Sequence, residues 1–319
     1  MRATDSQDSN TSTTLCTKMP EKILCALACG TMGRSILSGV LDALKDAERN
    51  SADSLSASVL SINEGSADQE PLVAPSIFSA CVKRPEAAKK LKELFGDAVT
   101  VSYGASANAE AASKADYVLL GCKPQVARDL LTEPAMAQAL KGKVVMSILA
   151  GTTISTLQGF LPDSKVIRVM PNTPSRIRQG MSVIVSGDGV AEQELEMVSW
   201  IFKQVGKTLI MDEKHIDAAT ALCGSGPAFM AVILESLTDG GVMMGIPRQQ
   251  AEDLVAQTML GTASMVQAGQ NPALIRNAVA TPGGCTIGGL LEMEDGKIRS
   301  VLARTIQTAA QIATALGKN

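Results

Sequence analysis

The chain has 319 residues, of which 45 % are hydrophobic, 19 % charged and 3 % aromatic, with a net charge of −3. That length suits two domains, and the balance is globular, leaving Ala, Leu, Ile, Val and Met to fill the interior. There is no basic excess to attract nucleic acid or an anionic membrane, so neither is expected as a partner.

Residues 1–20, rich in Ser and Thr and carrying Asp5 and Asp8, read as a disordered tail rather than a secretory or mitochondrial leader. An apolar run over 23–28 predicts a first strand, and 32–47 a helix. Residues 46–75 follow as a surface insertion rich in Ser, Asp, Gly and Pro. A strand is expected over 77–82, a proline-opened helix over 85–95, and further strands over 99–103, 117–121, 144–149 and 166–170. Strands that alternate with helices call for a parallel sheet, so 21–211 reads as an α/β, Rossmann-like dinucleotide-binding domain. Its last elements are a strand over 181–186, a helix over 191–204 and a strand over 208–211.

From 212 to 319 the texture becomes Ala, Leu, Met and Gln at helical spacing, an all-helical domain for substrate and dimerisation, interrupted at 224–227 and 281–284. It holds more apolar surface than a small bundle can bury, which predicts a homo-oligomer built through it. No apolar stretch is expected to approach the ~18–20 residues of a membrane span. Seven cysteines without C-x-x-C spacing, and His215 as the lone histidine, point to reduced thiols in the cytoplasm and to no metal site.

After the first strand come Ala28, Cys29, Gly30, Thr31, Met32 and Gly33. A dinucleotide fingerprint places glycine at the first, third and sixth of these positions. Gly30 would admit the pyrophosphate, Gly33 would let the helix pack on the strand, and Ala28 replaces the first glycine at ~1 kcal/mol if the turn needs a positive φ. The second strand ends at Lys83 and Arg84 with no carboxylate, which favours the 2′-phosphate of NADPH over NADH, with NADH kept open. Cys122, Lys123 and Pro124 close the fourth strand, where a bound dinucleotide lies.

Several later segments, in order, resemble pyrroline-5-carboxylate reductase. They are Leu-Ala-Gly-Thr-Thr at 149–153, Arg-Val-Met-Pro-Asn-Thr-Pro at 168–174, Leu-Cys-Gly-Ser-Gly-Pro-Ala at 222–228, Asp-Gly-Gly-Val-Met-Met-Gly-Ile-Pro-Arg at 239–248, and Thr-Pro-Gly-Gly-Cys-Thr at 281–286. The resemblance implies hydride transfer from NADPH to the cyclic imine of pyrroline-5-carboxylate, giving L-proline, the last step of proline biosynthesis. It implies a homodimer interlocked through the helical domain, and often rings of dimers. Thr281, Gly283, Gly284 and Thr286 match the substrate loop, with backbone N–H groups around Gly283 and Gly284 receiving the carboxylate and the Thr286 hydroxyl, the one catalytic contact, on the ring nitrogen. Met170, Pro171 and Asn172 match the stretch along the nicotinamide. An imine is electrophilic once protonated, so the absence of a catalytic histidine fits. Departures are Ala28, the 46–75 insertion, and Arg276, Asn277, Ala278 and Val279, where the family has a basic residue followed by Asp-Asn-Val.

Other conspicuous residues have plainer readings. His215 reads as a surface or capping residue, Cys223 as a small buried one, and Ser225 as no nucleophile for want of a histidine. Gly240 and Gly241 suit a close helix crossing at a subunit contact, and Met230, Met243, Met244, Met259 and Met265 read as core. Two alternatives stay open: another NADP-dependent dehydrogenase or imine reductase for a small substrate, and a catalytically weak cofactor-binding scaffold.

Overall fold

The structure is a computed structural model and describes residues 21–51 and 72–317. The tail at 1–20 and most of the insertion lie outside the described residues. In chain order the first half comprises β1 (Lys22–Leu27), α1 (Thr31–Ser51), β2 (Pro75–Val82), α2 (Pro85–Phe95), β3 (Thr100–Tyr103), α3 (Ala105–Lys114), β4 (Tyr117–Leu120), α4 (Pro124–Leu131), α5 (Pro134–Leu140), β5 (Val144–Ser147), α6 (Ile154–Phe160) and β6 (Lys165–Met170). β7 (Gly180–Ser186), α7 (Glu192–Lys203) and β8 (Gly206–Ile210) complete the α/β part. The strands form one sheet in the order β3-β2-β1-β4-β5-β6-β7-β8.

Period-two alternation divides the core. Leu24 and Ala26 of β1 join the helices α1, α2 and α7 on one face, whereas Cys25 and Leu27 join α3 to α6 on the other. Local chemistry sets the helix starts. Pro85, Pro124 and Pro134 occupy first turns, and the side chains of Glu133 and Thr153 accept from Met136 N and Thr156 N. At Gly39 a side chain would run into Val205 and the Gln204 carbonyl, so α1 crosses the end of α7 at backbone distance.

Two expectations are corrected. α1 continues to Ser51, into the segment read as insertion, because Lys45, Ala47, Glu48 and Arg49 are good helix formers. The sheet is not wholly parallel: β7 runs antiparallel to β6, since only a 3-10 turn over Thr173–Ile177 joins them, and β8 pairs parallel to β7. A turn that short cannot return the chain for a parallel neighbour.

From Glu213 the chain is helical: α8 (Ile216–Ala219), a π turn (Thr220–Gly224), α9 (Gly226–Met243), α10 (Arg248–Gln267), α11 (Pro272–Val279), α12 (Cys285–Asp295) and α13 (Ile298–Leu316). The sequence break at 224–227 is therefore a π turn that feeds straight into α9. A Cβ on Gly241 would stand 3.2 Å from Ala251 Cβ of α10, so this glycine lets α9 and α10 approach closely within the chain, whereas a Cβ on Gly240 would meet nothing of its own chain. The methionine stripe is not core either. Met243 is 82 % and Met244 78 % exposed, Met230 and Met265 are exposed, and Met259 is half-buried, because the helices of one chain leave these faces uncovered. Contrary to the reading that no stretch approaches membrane length, Glu213–Met243 is long and apolar enough to cross one by length and composition.

Candidate functional site

β1 stops at Leu27 and the chain turns into α1 through Ala28, Cys29 and Gly30. The Cys29 N–H donates to the Cys81 carbonyl at 2.9 Å and the Gly121 N–H to Leu27 at 3.0 Å, placing the turn across the carboxyl ends of β1, β2 and β4. Ligands of open parallel sheets bind at that edge. Ala28 has φ 57, the left-handed region that costs a non-glycine about 1 kcal/mol. Gly30 is exposed, and a Cβ there would meet nothing nearer than the Ala28 carbonyl at 3.9 Å, so space opens before the turn. Gly33 is buried, and a Cβ there would stand 3.3 Å from the Cys29 Sγ, a packing glycine. Thr31 and Met32 open α1, whose first turn holds no acidic residue; Arg34 Nη2 donates to Thr31 Oγ1 at 3.3 Å. A helix start without negative charge beside open space fits a pyrophosphate.

Lys83 and Arg84 are exposed beyond β2, and Arg84 precedes α2 in extended conformation without capping it. Cations at a helix start are poorly placed for the dipole, which suits them to an added phosphate. Asn108 of α3, which the sequence reading missed, holds this strand end. It is buried, donates Nδ2 to the Val82 carbonyl at 2.9 Å and accepts from Ser102 Oγ at 2.9 Å. Its signal was an amide amid alanines on a helix turned to the core.

At the neighbouring strand end Lys123 and Pro124 are exposed and Cys122 is half-buried. Burial pushes the Cys122 thiol up to about 11 and the Cys29 thiol up to about 12, so both stay protonated at neutral pH. Met170, Pro171 and Asn172 are buried where β6 leaves the sheet. The Asn172 Oδ1 accepts from the Met181 N–H at 2.8 Å, so this amide anchors β7. The π turn lies on the same spot: Cys223 Sγ is 3.9 Å from the Met170 carbonyl, and a Cβ on Gly224 would be 3.6 Å from Met170 Sδ. Cys223 is half-buried instead of fully buried as expected, and burial raises its thiol above the usual range. His215 is exposed.

The loop over 281–286 joins α11 to α12. Gly283 has φ 67, and a Cβ on Gly284 would stand 2.5 Å from Thr281 Oγ1 and 3.2 Å from its carbonyl. The Gly284 N–H donates to the Thr281 carbonyl at 3.0 Å. The Gly284 amide thus closes the loop on itself. The first-turn amides of Cys285 and Thr286 lack a side-chain cap, and α12 has no acid in its first turn, an arrangement that suits an anion. Thr286 is half-buried. Arg276 lies just before the loop and donates Nε and Nη2 to its neighbour Asn277 Oδ1 at 3.1 and 2.9 Å. Among the described residues no hydrogen bond or ion pair joins this loop to the β1–α1 turn or to Met170, Pro171 and Asn172.

The family profile for pyrroline-5-carboxylate reductase dimerisation matches residues 213–316, and one for NADP oxidoreductases, coenzyme F420-dependent, matches 60–151. Pyrroline-5-carboxylate reductase of Schizosaccharomyces pombe is 50 % identical over 295 residues, 92 % of this chain and 99 % of that one. The enzyme of that name from Lophium arboricola is 42 % identical, covering 93 % and 94 %. Among solved structures, a pyrroline-5-carboxylate reductase from Coxiella burnetii superposes with TM-score 0.76 at 25 % identity, covering 94 % and 99 %. The Plasmodium falciparum pyrroline carboxylate reductase, solved with NADP bound, has the same fold, with TM-score 0.71 at 24 % identity, covering 93 % and 98 %.

Proposed function

The chain belongs to the pyrroline-5-carboxylate reductase family, and we propose that it reduces 1-pyrroline-5-carboxylate to L-proline with NADPH, the final step of proline biosynthesis. The observation that carries this is the 50 % identity over nearly the whole of both chains. The reduced nicotinamide supplies a hydride for the imine carbon. The chain's residues supply the rest. The turn at Ala28, Cys29, Gly30, Thr31, Met32 and Gly33 holds the pyrophosphate, Lys83 and Arg84 the 2′-phosphate, and Cys122, Lys123, Pro124, Met170, Pro171 and Asn172 line the cofactor. Thr281, Gly283 and Gly284 shape the substrate loop. The first-turn amides of α12 receive the carboxylate, and Thr286 hydrogen-bonds the ring nitrogen as it becomes an amine. Holding the two reactants in register is the larger effect, ~7 kcal/mol or more of barrier, against ~3 kcal/mol for the hydroxyl.

The domains are the dinucleotide-binding part over 21–211 and the helical part from 212. Because the substrate loop has no polar link to the cofactor turn in its own chain and sits inside the matched dimerisation segment, the loop of one subunit completes the site of its partner. The apolar stretch Glu213–Met243 begins with that segment and covers a subunit surface, not a bilayer. Dimers assemble further into rings, and the enzyme works in the cytoplasm.

Loss of NADPH absorbance with purified protein, with and without pyrroline-5-carboxylate, tests the reaction. Rapid substrate-dependent oxidation favouring NADPH over NADH is expected. Faster oxidation of NADH would remove the phosphate role of Arg84. No oxidation of either by folded, cofactor-binding protein would leave the scaffold reading.

A further inference from the structure

We propose that Arg168 is a positioning residue that locks the helical part of the chain to the nicotinamide segment and thereby sets the geometry of hydride transfer; this rests on the reductase reading above. Alternation along β6 puts Arg168 on the same face as Met170. Its guanidinium is 2 % exposed, an unusual place for a cation inside an α/β core. Nη1 lies 3.3 Å from Glu213 Oε1 and Nη2 3.9 Å from Asp217 Oδ1, while Nε has no partner.

Each carboxylate reaches further. Glu213 Oε1 also accepts the Ile154 N–H at 2.8 Å, at the start of α6. Asp217 Oδ2 accepts from Thr314 Oγ1 at 2.8 Å, near the end of α13. One cation thus gathers β6, α6, the turn that opens the helical part, and the last helix. Burying such a network is poor stabilisation, because apolar residues of the same volume do as well. What the charges add is a single permitted placement of one part on the other.

That placement matters at both ends. Arg168 is followed by Met170, Pro171 and Asn172, while Asp217 is followed by the π turn, whose Gly224 lies against Met170 Sδ. Beyond the π turn α9 extends about 27 Å at 1.5 Å per residue. A small rotation about the Arg168 ion pairs is multiplied along that arm and carried into α10, which packs on α9 and leads through α11 to the substrate loop.

The test uses the dimeric enzyme carrying Glu213→Gln, Asp217→Asn or Thr314→Val. Three quantities are read: the single-turnover rate of hydride transfer, NADPH affinity by fluorescence, and amide exchange over 170–175 and 216–225 in the apo protein. Hydride transfer is expected to fall at least about ten-fold in Glu213→Gln, while NADPH affinity stays within about two-fold. Exchange should speed up in both segments together. Arg168→Lys, which keeps the charge but loses the fork, should retain more of the rate than Arg168→Met. If the buried variants do not fold, Thr314→Val on the exposed rim decides, with slower transfer at unchanged affinity. Unchanged transfer and exchange in folded dimers would overturn the proposal, as would parallel losses of transfer and NADPH affinity, the mark of a merely structural residue. Should the wild-type enzyme reduce no pyrroline-5-carboxylate, the reductase reading falls, and the exchange data alone still decide whether Arg168 couples the two segments.

Discussion

At Ala28 a methyl group sits in backbone space that favours glycine, with φ 57. Ala28→Gly relieves about 1 kcal/mol of left-handed strain but adds a comparable entropy to the unfolded chain, so net stability should stay within about 1 kcal/mol. Ala28→Val cannot relax this way and should destabilise by more than about 1 kcal/mol. Urea unfolding of the three proteins checks both; an unaffected valine variant would remove the strain argument. In the substrate loop Gly284→Ala drives a Cβ onto Thr281 Oγ1, so turnover should fall about a hundred-fold while NADPH binding is kept. Thr286→Ala should lower turnover far more than it weakens NADPH binding, and an unchanged kcat would take the hydroxyl out of the mechanism. These glycines and this threonine were legible as residues. That the Gly284 amide is already engaged was not, because a motif names atoms without their partners.

Elements were legible wherever a period was clean. β1, α2, β4 and β6 begin and end close to the residues where alternation, proline or glycine marks them. The antiparallel β7 was hidden, since strand direction is set by the length and path of the connection, not by the strand's own residues. Gly39 was equally silent: nothing near it in sequence shows that Val205 and the Gln204 carbonyl lie against it. Gly39→Leu should destabilise by at least about 1–3 kcal/mol through overpacking of the α1–α7 crossing. A thermal scan that finds no loss would mean that α1 can shift without consequence. Since the proposed pyrophosphate site lies at the N-terminus of α1, weaker NADPH binding should accompany any such shift.

In the whole molecule the helical part decides behaviour. Met243, Met244, Leu222, Val232 and Leu254 are exposed in one chain, apolar surface that the proposed dimer would cover. Met244→Asp places a charge there and should shift the protein toward monomer in light scattering. On the proposed partner-completed site, turnover should fall in parallel with dimer content. A fully active monomer would show that one chain holds the whole site. The methionine stripe was misjudged for the same reason: helical periodicity reports that a face will be covered, but not whether the cover belongs to the same chain.

The sequence by itself determined the α/β and helical halves, the glycine turn before α1, the basic pair at the end of β2 and the family, because each depends on residues adjacent in the chain. Tertiary structure alone decided the turn of β7, the buried Arg168 with Glu213 and Asp217, the Asn108 bond to Val82, and the outward face of α9. These join residues far apart along the chain. Their energies come from desolvation and close contact, and neither exists until the chain has folded.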